Sequence, residues 1–228
     1  MKWKVQLDNK NMVFLSGTTN LLVLDELTSP EELCILVQKD ACLVVKQKYV
    51  QDKPVSLKLN FILEENVQVV HQLLIKTMSV IACTYEFKLM GRGASLKSSG
   101  SIYGTGQGSC TIRVQQIHVA PETISFLHFK TALTDQSCYD YQGHIAIQEK
   151  AFNTHAHQKD RVLLVNPGTV AVSVPSLEVL CSAVQCGHAS AITRINDDQL
   201  TMLANRGINA LQAKQLIVNG FLKLDNLR

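Results

Sequence analysis

Short apolar runs rich in Val, Ile and Leu, separated by polar turns, fill the chain from about residue 33 to residue 180. The clearest of them are Val55 to Leu63, Val67 to Ile75, Met78 to Leu89, Thr111 to Val119 and Leu177 to Val184. Strands of this length at such short spacing predict an all-β body. No amphipathic helix of about ten residues or more separates them, which disfavours a doubly wound α/β fold.

The all-β class leaves a sandwich, a closed barrel and a β-solenoid as alternatives. Two phrases, at residues 60–67 and 163–170, each read as strand, polar turn and strand. This weak repetition suits coils stacked on one another, each of which buries its face against its neighbour. The pattern therefore favours a solenoid slightly over a sandwich.

The last fifth of the chain changes to a helical period. Asn196, with Gln199 three positions later, resembles a capping box, and Gly207 can end that helix in the left-handed conformation. Asn209 and Gly220 bound a second predicted helix in the same way. The apolar stripes are Leu200, Leu203 and Ala204 in the first helix and Ala213, Leu216 and Ile217 in the second. Both helices are too short to be stable alone, so each must pack on another element.

Length and charge add limits to this picture. The 228 residues suit one elongated domain with a helical appendage, divided into N-terminal strands and turns (1–32), a solenoid core (33–190) and a helical domain (191–228). The formal charge of +3, from 22 Lys plus Arg and 19 Asp plus Glu, does not indicate nucleic acid or an acidic membrane as a partner. Because the basic residues are scattered along the sequence, they are interpreted as a solvated surface.

The seven cysteines are odd in number and irregularly spaced, which favours a reducing compartment over a secreted disulfide framework. No CxxC pair occurs, which weakens a structural zinc interpretation. No apolar run approaches the roughly 18 residues that span a bilayer. Met1-Lys2-Trp3-Lys4 leads into polar residues rather than a signal sequence, so we expect a cytoplasmic protein without a membrane segment.

Two groups of residues have the chemistry of metal ligands. His155 and His157 would share one face of a strand, although an HxH pair is more often a polar surface strand. Cys186 and His188, two apart in an extended segment, would also face one side, with Cys181 nearby. Thiolate and imidazole suit soft and borderline metals, including iron–sulfur species. A packed thiol and a hydrogen-bonded histidine at a strand end are an equally good interpretation.

No motif for catalysis or for nucleotide binding is evident. The segment Gly104 to Gly108 lacks the Lys-Ser/Thr of a P-loop and is predicted to be a hairpin turn. No GxSxG elbow occurs. A β-helix enzyme that acts on a polysaccharide is the main enzymatic alternative, but it would require an acidic or basic cluster that the sequence does not assemble. A simple metal-binding protein using His155, His157 and Cys186 is a third possibility.

A series of motifs in a fixed order resembles the SufB/SufD family, well from about residue 90 to 222 and loosely from about 33 to 90. The motifs are Gly91-Arg92-Gly93-Ala94-Ser95, His118 to Ser125, Tyr141 to Ile145, Thr154 to Gln158, Pro175 to Val179, Cys186-Gly187-His188-Ala189, Asp198-Gln199-Leu200, Arg206-Gly207-Ile208 and Gly220-Phe221-Leu222. The resemblance implies a right-handed parallel β-helix with a small C-terminal helical domain. It also implies a non-enzymatic scaffold subunit of a SUF complex, with iron or an iron–sulfur cluster as transient cargo.

The resemblance also implies partners. A SufB-like subunit, or a second copy of this chain, would pair near the C-terminal coils. A SufC-like ATPase would dock on the helical domain and would supply the nucleotide site that this chain lacks. The docking candidates are Leu200, Leu203, Ile208, Leu216, Ile217 and Phe221.

The SufD-like branch fits better than the SufB-like branch. Asp160 stands where the SufB-like pattern has a cysteine, and a carboxylate cannot carry a persulfide. Gly187 and Ala189 replace the acidic residues that flank the matching histidine in SufB-like chains, whereas Cys186 and His188 fit the SufD-like pattern. The resemblance therefore marks His188 first, and Cys186 second, as contacts for iron or a cluster. The N-terminal region expected before the β-helix is much reduced, so the chain resembles a short SufD-like form, and a reduced SufD-like subunit, a homodimer that does both jobs and a degenerate paralogue are all open as interpretations.

Overall fold

The computed structural model describes residues 2–3, 12–15, 20–25, 31–50 and 53–223. Within these residues there are fifteen strands and two helices in chain order. The strands are β1 Lys2–Trp3, β2 Met12–Leu15, β3 Asn20–Asp25, β4 Glu31–Val37, β5 Cys42–Val50, β6 Val55–Leu63, β7 Gln68–Thr77, β8 Val80–Leu89, β9 Ser95–Gly104, β10 Ser109–His118, β11 Ile124–Leu133, β12 Cys138–Ile147, β13 Thr154–Leu164, β14 Val170–Val179 and β15 Val184–Arg194. The helices are α1 Asp197–Ala204 and α2 Ala210–Leu222.

Each strand pairs in parallel with the strand two places along the chain. The odd-numbered strands form an eight-stranded sheet and the even-numbered strands form a seven-stranded sheet, called here the odd and even sheets. One coil therefore contributes one strand to each sheet, which confirms the predicted parallel β-solenoid and excludes the sandwich. The strands β1, β2 and β3, from the segment predicted as N-terminal strands and turns, pair within the same two sheets.

Strict alternation along the strands builds the core between the two sheets. In β6 and β8, every second residue is buried and the residues between them are more exposed. Phe61 and Phe87 are stacked on successive coils, with ring centroids 4.9 Å apart, and Tyr85 extends the aromatic group. His71 is fully buried beside them, and its ring nitrogens bond to Ser98 and Gln47 at 2.8 and 2.6 Å.

The corners that lead from the even to the odd sheet repeat one backbone conformation. Asp40, Asn66, Gly93, Glu122 and Asn153 occupy successive corners with φ between 56° and 72°. Asn66 Nδ2 donates to Asp40 Oδ1 at 3.0 Å, so neighbouring corners are joined by side chains as well as by backbone. Asp, Asn and Gly are common at such left-handed positions. This row of left-handed corner residues, one in each coil, is the repeating feature of the fold.

The phrases at 60–67 and 163–170 are each strand, turn and strand, but they are different corners of the coil, because the first crosses from the even to the odd sheet and the second crosses in the opposite direction. One expectation about turns was wrong. The turn at 105–108 is not a hairpin, since it joins β9 in the odd sheet to β10 in the even sheet. Parallel coils have no hairpins, and their corners connect two layers.

The predicted starts of both helices are confirmed. Asn196 Oδ1 accepts from the Asp198 amide, and Asn209 Oδ1 accepts from the Gln212 amide, each at 2.9 Å. Gly207 follows α1 with φ 78°, as expected for a left-handed cap. The predicted stop at Gly220 was wrong, because α2 continues through it to Leu222.

The outer face of the odd sheet holds α2. Its Val218 packs with Ala132 of β11 and Leu163 of β13. Ser101 Oγ donates to the Leu222 carbonyl at 2.6 Å. Lys130 Nζ donates to the Lys223 carbonyl at 2.8 Å, which places a cation at the negative end of the helix dipole. Within the described residues, no helix is long and apolar enough to cross a membrane.

Candidate functional site

The C-terminal end of the solenoid is uncovered. Strands β14 and β15 are the last strands of the even and odd sheets, so within the described residues each pairs along one edge only. The side chains of Leu177, Val179 and Ile192 align with buried residues of the coil below, yet they are 37 to 43% exposed. The last coil therefore leaves its interior side open, together with two unpaired strand edges.

Cys186 and His188 lie on that open side. In the parallel register Cys186 aligns with Ala156 and His188 with Gln158, and both partners are buried between the sheets. Because aligned residues of parallel strands point to the same side, both side chains face the interior direction. Cys186 packs at the edge of a small apolar cluster that contains Ile145, whereas His188 is exposed.

A chain of polar groups runs from this opening into the solenoid. Ser190 Oγ donates to Ser173 Oγ at 2.8 Å, and Ser173 Oγ donates to Asp160 Oδ2 at 2.7 Å. Tyr139 OH donates to the other carboxylate oxygen of Asp160 at 3.1 Å. Asp160 is only 1% exposed. The sequence marked Asp160 as a departure from the SufB-like pattern but carried no local signal of this burial, because its two hydrogen-bond partners come from two other strands, β12 and β14.

The interior remains polar one step deeper. Gln116 Nε2 donates to Gln158 Oε1 at 3.2 Å. The contact passes over Gly143, where a Cβ would lie 2.0 Å from Gln158 Nε2. In the described part of the chain, Gln158 Nε2 and the nearby Tyr141 hydroxyl are buried without a hydrogen-bond partner. Buried polar groups of this kind normally hydrogen-bond to protein or to ordered water, so the interior below the opening offers polar atoms that are not yet paired within the described residues.

Burial raises the pKa of Asp160 to about 6, against an ordinary value of 3.8, and the hydrogen bonds from Ser173 and Tyr139 oppose part of that rise. The carboxyl thus stays protonated in the folded state over a range where the unfolded chain ionises. Its contribution to stability is complete below about pH 3.8 and is lost as pH rises to about 6. Burial lowers the pKa of His71 to about 3 and that of His118 to about 4, so both are neutral in the folded state where the unfolded chain binds protons. Their contribution to the free energy of unfolding is therefore lost as pH falls below 6.5.

The Asp160→Asn variant isolates the carboxyl from these histidines. We expect it to be more stable than the wild type at pH 7 by about 1–3 kcal/mol, because the amide needs no ionisation and can still bond to Tyr139 and Ser173. The gain should shrink towards zero as pH falls from about 6 to about 4. Urea unfolding of both proteins across that range measures it. A gain that does not change with pH would contradict the burial argument.

The histidine pair lies elsewhere. His155 and His157 are on the outward face of β13, opposite the side that Cys186 faces, so these three residues do not converge. His157 is stacked on Phe126 with ring centroids 5.6 Å apart. Within the described residues, no group of three His, Cys, Asp or Glu side chains could hold a metal ion. Cys186 and His188 alone supply fewer ligands than the four of a usual iron–sulfur or zinc site.

The six apolar residues predicted to dock an ATPase differ in exposure. Leu203 is buried, and Ile217 and Phe221 pack against the solenoid. Leu200 and Ile208 are half-buried. Leu216 is 56% exposed, so it is the one of the six that is largely free to meet a partner.

Two exposed apolar side chains of the helices were not identified from the sequence. Leu211 is 80% exposed, and Met202 is also largely exposed. An apolar stripe identifies the helix face that packs against the protein's own core. Leu211 and Met202 lie outside the stripes, so the periodicity does not predict them. Together, Leu211, Leu216 and Met202 form the exposed apolar set of the helical domain.

This geometry defines a class of protein. It is a stack of parallel coils with a helical domain fixed to one sheet, and its uncovered final coil presents a thiol and an imidazole. The chain belongs to the family described as "SUF system FeS cluster assembly, SufBD core domain", which matches residues 35–221. Its family membership connects it to SUF-type iron–sulfur cluster assembly and confirms the resemblance drawn from the motifs.

Individual relatives agree. A Mycobacterium bovis iron–sulfur cluster assembly SufBD family protein is 29% identical over 62% of this chain and 38% of its own length. Escherichia coli SufD is 30% identical over 40% of this chain and 22% of its own length. Bacillus subtilis SufB is 26% identical over 64% and 31%, respectively. The chain therefore spans well under half the length of these relatives, and both branches match.

Proposed function

We propose that the chain is a non-enzymatic, SufD-like scaffold subunit of a SUF-type assembly complex. It pairs through its final coil with a SufB-like subunit or a second copy of itself, and it recruits a SufC-like ATPase through its helices. Nascent iron or an iron–sulfur cluster, as cargo, contacts His188 first and Cys186 second.

The observation that carries this proposal is the uncovered final coil. A solenoid that ended in solvent would normally be closed by a polar cap, since exposed strand edges invite pairing with other chains. Here the interior side remains apolar at Leu177, Val179 and Ile192, and in the part of the chain that the structure describes both edges are unpaired. A second β-helix placed end to end would bury these side chains and supply the missing strand neighbours.

Pairing would also complete the candidate cluster site. His188 and Cys186 face the open side, where a partner can add the ligands that this chain lacks. An imidazole and a thiolate are suitable ligands for iron–sulfur species. The carboxyl of Asp160 lies under the opening and holds the last coil through Ser173 and Ser190, which keeps the two strands in register. With a carboxylate at 160, the SufD-like role is favoured over sulfur acceptance.

The helical domain is the proposed ATPase dock. The bonds from Ser101 and Lys130 hold the end of α2 on the solenoid, so a force applied to the helices is transmitted to the coils. The exposed set of Leu211, Leu216 and Met202 offers the apolar contact. Leu203, Ile217 and Phe221 support the dock from within.

Reconstitution of the complex tests the proposal. We expect His188→Ala, in a complex co-purified with the ATPase and the second β-helix subunit, to lower anaerobic cluster yield about tenfold while all subunits stay bound. We expect Leu216→Asp to lose the ATPase while the β-helix pair persists. Lys150→Ala, at an exposed corner, is the matched control for both. An unchanged cluster yield in His188→Ala would overturn its role, and failure of every partner to bind the wild type would overturn the scaffold assignment.

A further inference from the structure

The outward face of the odd sheet is basic. From β5 to β15, the outward residues in the described structure include lysines, an arginine and histidines, but no Asp or Glu. The basic members are Lys46, Lys48, Lys76, Lys97, Lys130, Lys159, Arg161, His128, His155 and His157. In the sequence these residues are scattered over more than one hundred positions, but stacking of the coils brings them to one surface.

The even sheet provides an internal comparison. Its outward cations have anions beside them: Lys58 lies 2.7 Å from Glu32, and Lys88 lies 2.7 Å from Glu86. Arg113 faces Asp140 at 3.6 Å. Among the described outward residues of β5 to β15 the odd sheet has no such complement, so their charges add to a field of one sign. Asp25, at the end of β3, aligns with Lys48 at the edge of this region.

Part of this face already binds a helix. The row Ser101, Lys130 and Arg161 crosses β9, β11 and β13, and α2 lies over it. Arg161 is placed over the Phe221 ring at 5.5 Å. One strand beyond Ser101 in the same row is Leu74 of β7, which is 45% exposed. The face therefore accepts a helix laid across its strands, and α2 leaves the coils of β5 and β7 uncovered.

The uncovered part combines apolar residues with lysines. Val44 and Val70 form one outward row with Lys97, and Leu74 aligns with Lys48. Neighbouring strands lie about 4.8 Å apart, so a helix crossing them meets one strand for roughly each turn of its own 5.4 Å pitch. Carboxylates on the flanks of such a helix would reach the lysines while its apolar stripe covered the valines and the leucine.

We propose that the outward face of β5, β7 and β9 is a docking surface for an acidic amphipathic helix of a partner protein. Lys46, Lys48, Lys76 and Lys97 pair with its carboxylates, and Leu74 with Val70 forms the apolar centre. A nucleic acid fits less well, because Arg161 is engaged with Phe221 and the exposed cations are lysines separated by apolar side chains. The surface is distinct from the final coil and from the exposed set of the helical domain.

A designed probe tests this surface. The probe is a fluorescein-labelled Glu/Leu amphipathic helix of about 18 residues, roughly five turns, with its Glu→Gln analogue and a single-stranded oligo-dT of similar length for comparison. We expect the acidic peptide to bind, measured by fluorescence anisotropy at low salt, and to weaken as salt rises. The Lys46→Gln/Lys76→Gln/Lys97→Gln variant should bind it about tenfold more weakly, from three exposed ion pairs.

The matched control is Lys58→Gln/Lys88→Gln on the even sheet, which removes two exposed lysines without touching the proposed surface. It should bind the acidic peptide like the wild type. The proposal is overturned if this control weakens binding as much as the odd-sheet variant, if the Gln peptide binds equally well, or if oligo-dT binds as tightly as the acidic peptide. Circular dichroism of each variant shows that the solenoid is folded.

Discussion

Replacing Gly91 with alanine is expected to destabilise the solenoid by at least about 3 kcal/mol, enough to remove much of a typical domain's stability. Gly91 begins the corner between β8 and β9. A Cβ at this residue would lie 2.0 Å from the Glu65 amide nitrogen and 2.3 Å from the Glu64 carbonyl carbon. Both atoms are backbone of the neighbouring corner, so neither can rotate away, and the two coils would have to separate. Denaturant unfolding followed by circular dichroism measures the effect.

Gly220→Ala is the matched control. Gly220 lies inside α2, and its added Cβ would meet nothing within 4 Å. We expect this variant to gain about 0.5–1 kcal/mol, since alanine is the better helix former. If Gly91→Ala unfolded at the same denaturant concentration as the wild type, the close stacking of corners in this fold would be wrong.

The clash at Gly91 also shows why the repeat was hard to find in the sequence. The positions that stack are single corner residues, Asp40, Asn66, Gly93, Glu122 and Asn153, which share a left-handed backbone rather than a side-chain type. The similar phrases at 60–67 and 163–170 are polar turns, and they lie at the two different corners of the coil. The short apolar runs were sufficient to predict an all-β body, because strand length and turn residues are local signals, whereas the parallel pairing was implied by the family resemblance. The helix starts were predictable for the same reason, since a cap depends on residues within one turn.

The candidate site depends on longer-range geometry. The sequence placed Cys186 and His188 two apart, which fixes a common face, but it could not show that this face is the open end of the solenoid. The interior position of Asp160 follows from its register with Ser190 on one side and Phe129 on the other. Such contacts join residues about thirty positions apart, beyond the reach of local patterns.

The same geometry explains two interpretations that the structure changes. Lysines such as Lys46, Lys76 and Lys97 seemed scattered because they lie on successive coils, many residues apart, and not on successive turns of a helix. In the helical domain, the apolar stripe predicted burial correctly at Leu203, but burial against the protein's own core removes a residue from the partner surface. Periodicity thus predicts which residues pack against the protein's own core better than it predicts which residues stay exposed for a partner.

End-to-end pairing through the final coil gives the second large expected effect. In the Leu177→Asp/Ile192→Asp variant, two carboxylates would occupy interior-facing positions that are part-exposed in the free subunit. The free subunit should tolerate them, because both reach solvent at the open end. A paired subunit would bury them without cations, at a cost of several kcal/mol. We therefore expect the dissociation constant for pairing to rise at least about a hundredfold.

Sedimentation velocity over a concentration series measures pairing of identical chains, and co-purification with a SufB-like subunit measures mixed pairs. Val80→Asp is the control, because Val80 is an exposed strand valine on the outer face of β8, away from the final coil. It should leave pairing unchanged. If the double variant pairs like the wild type, the contact between subunits must lie outside the open end, and a cluster site at His188 would then lose the partner ligands that it requires.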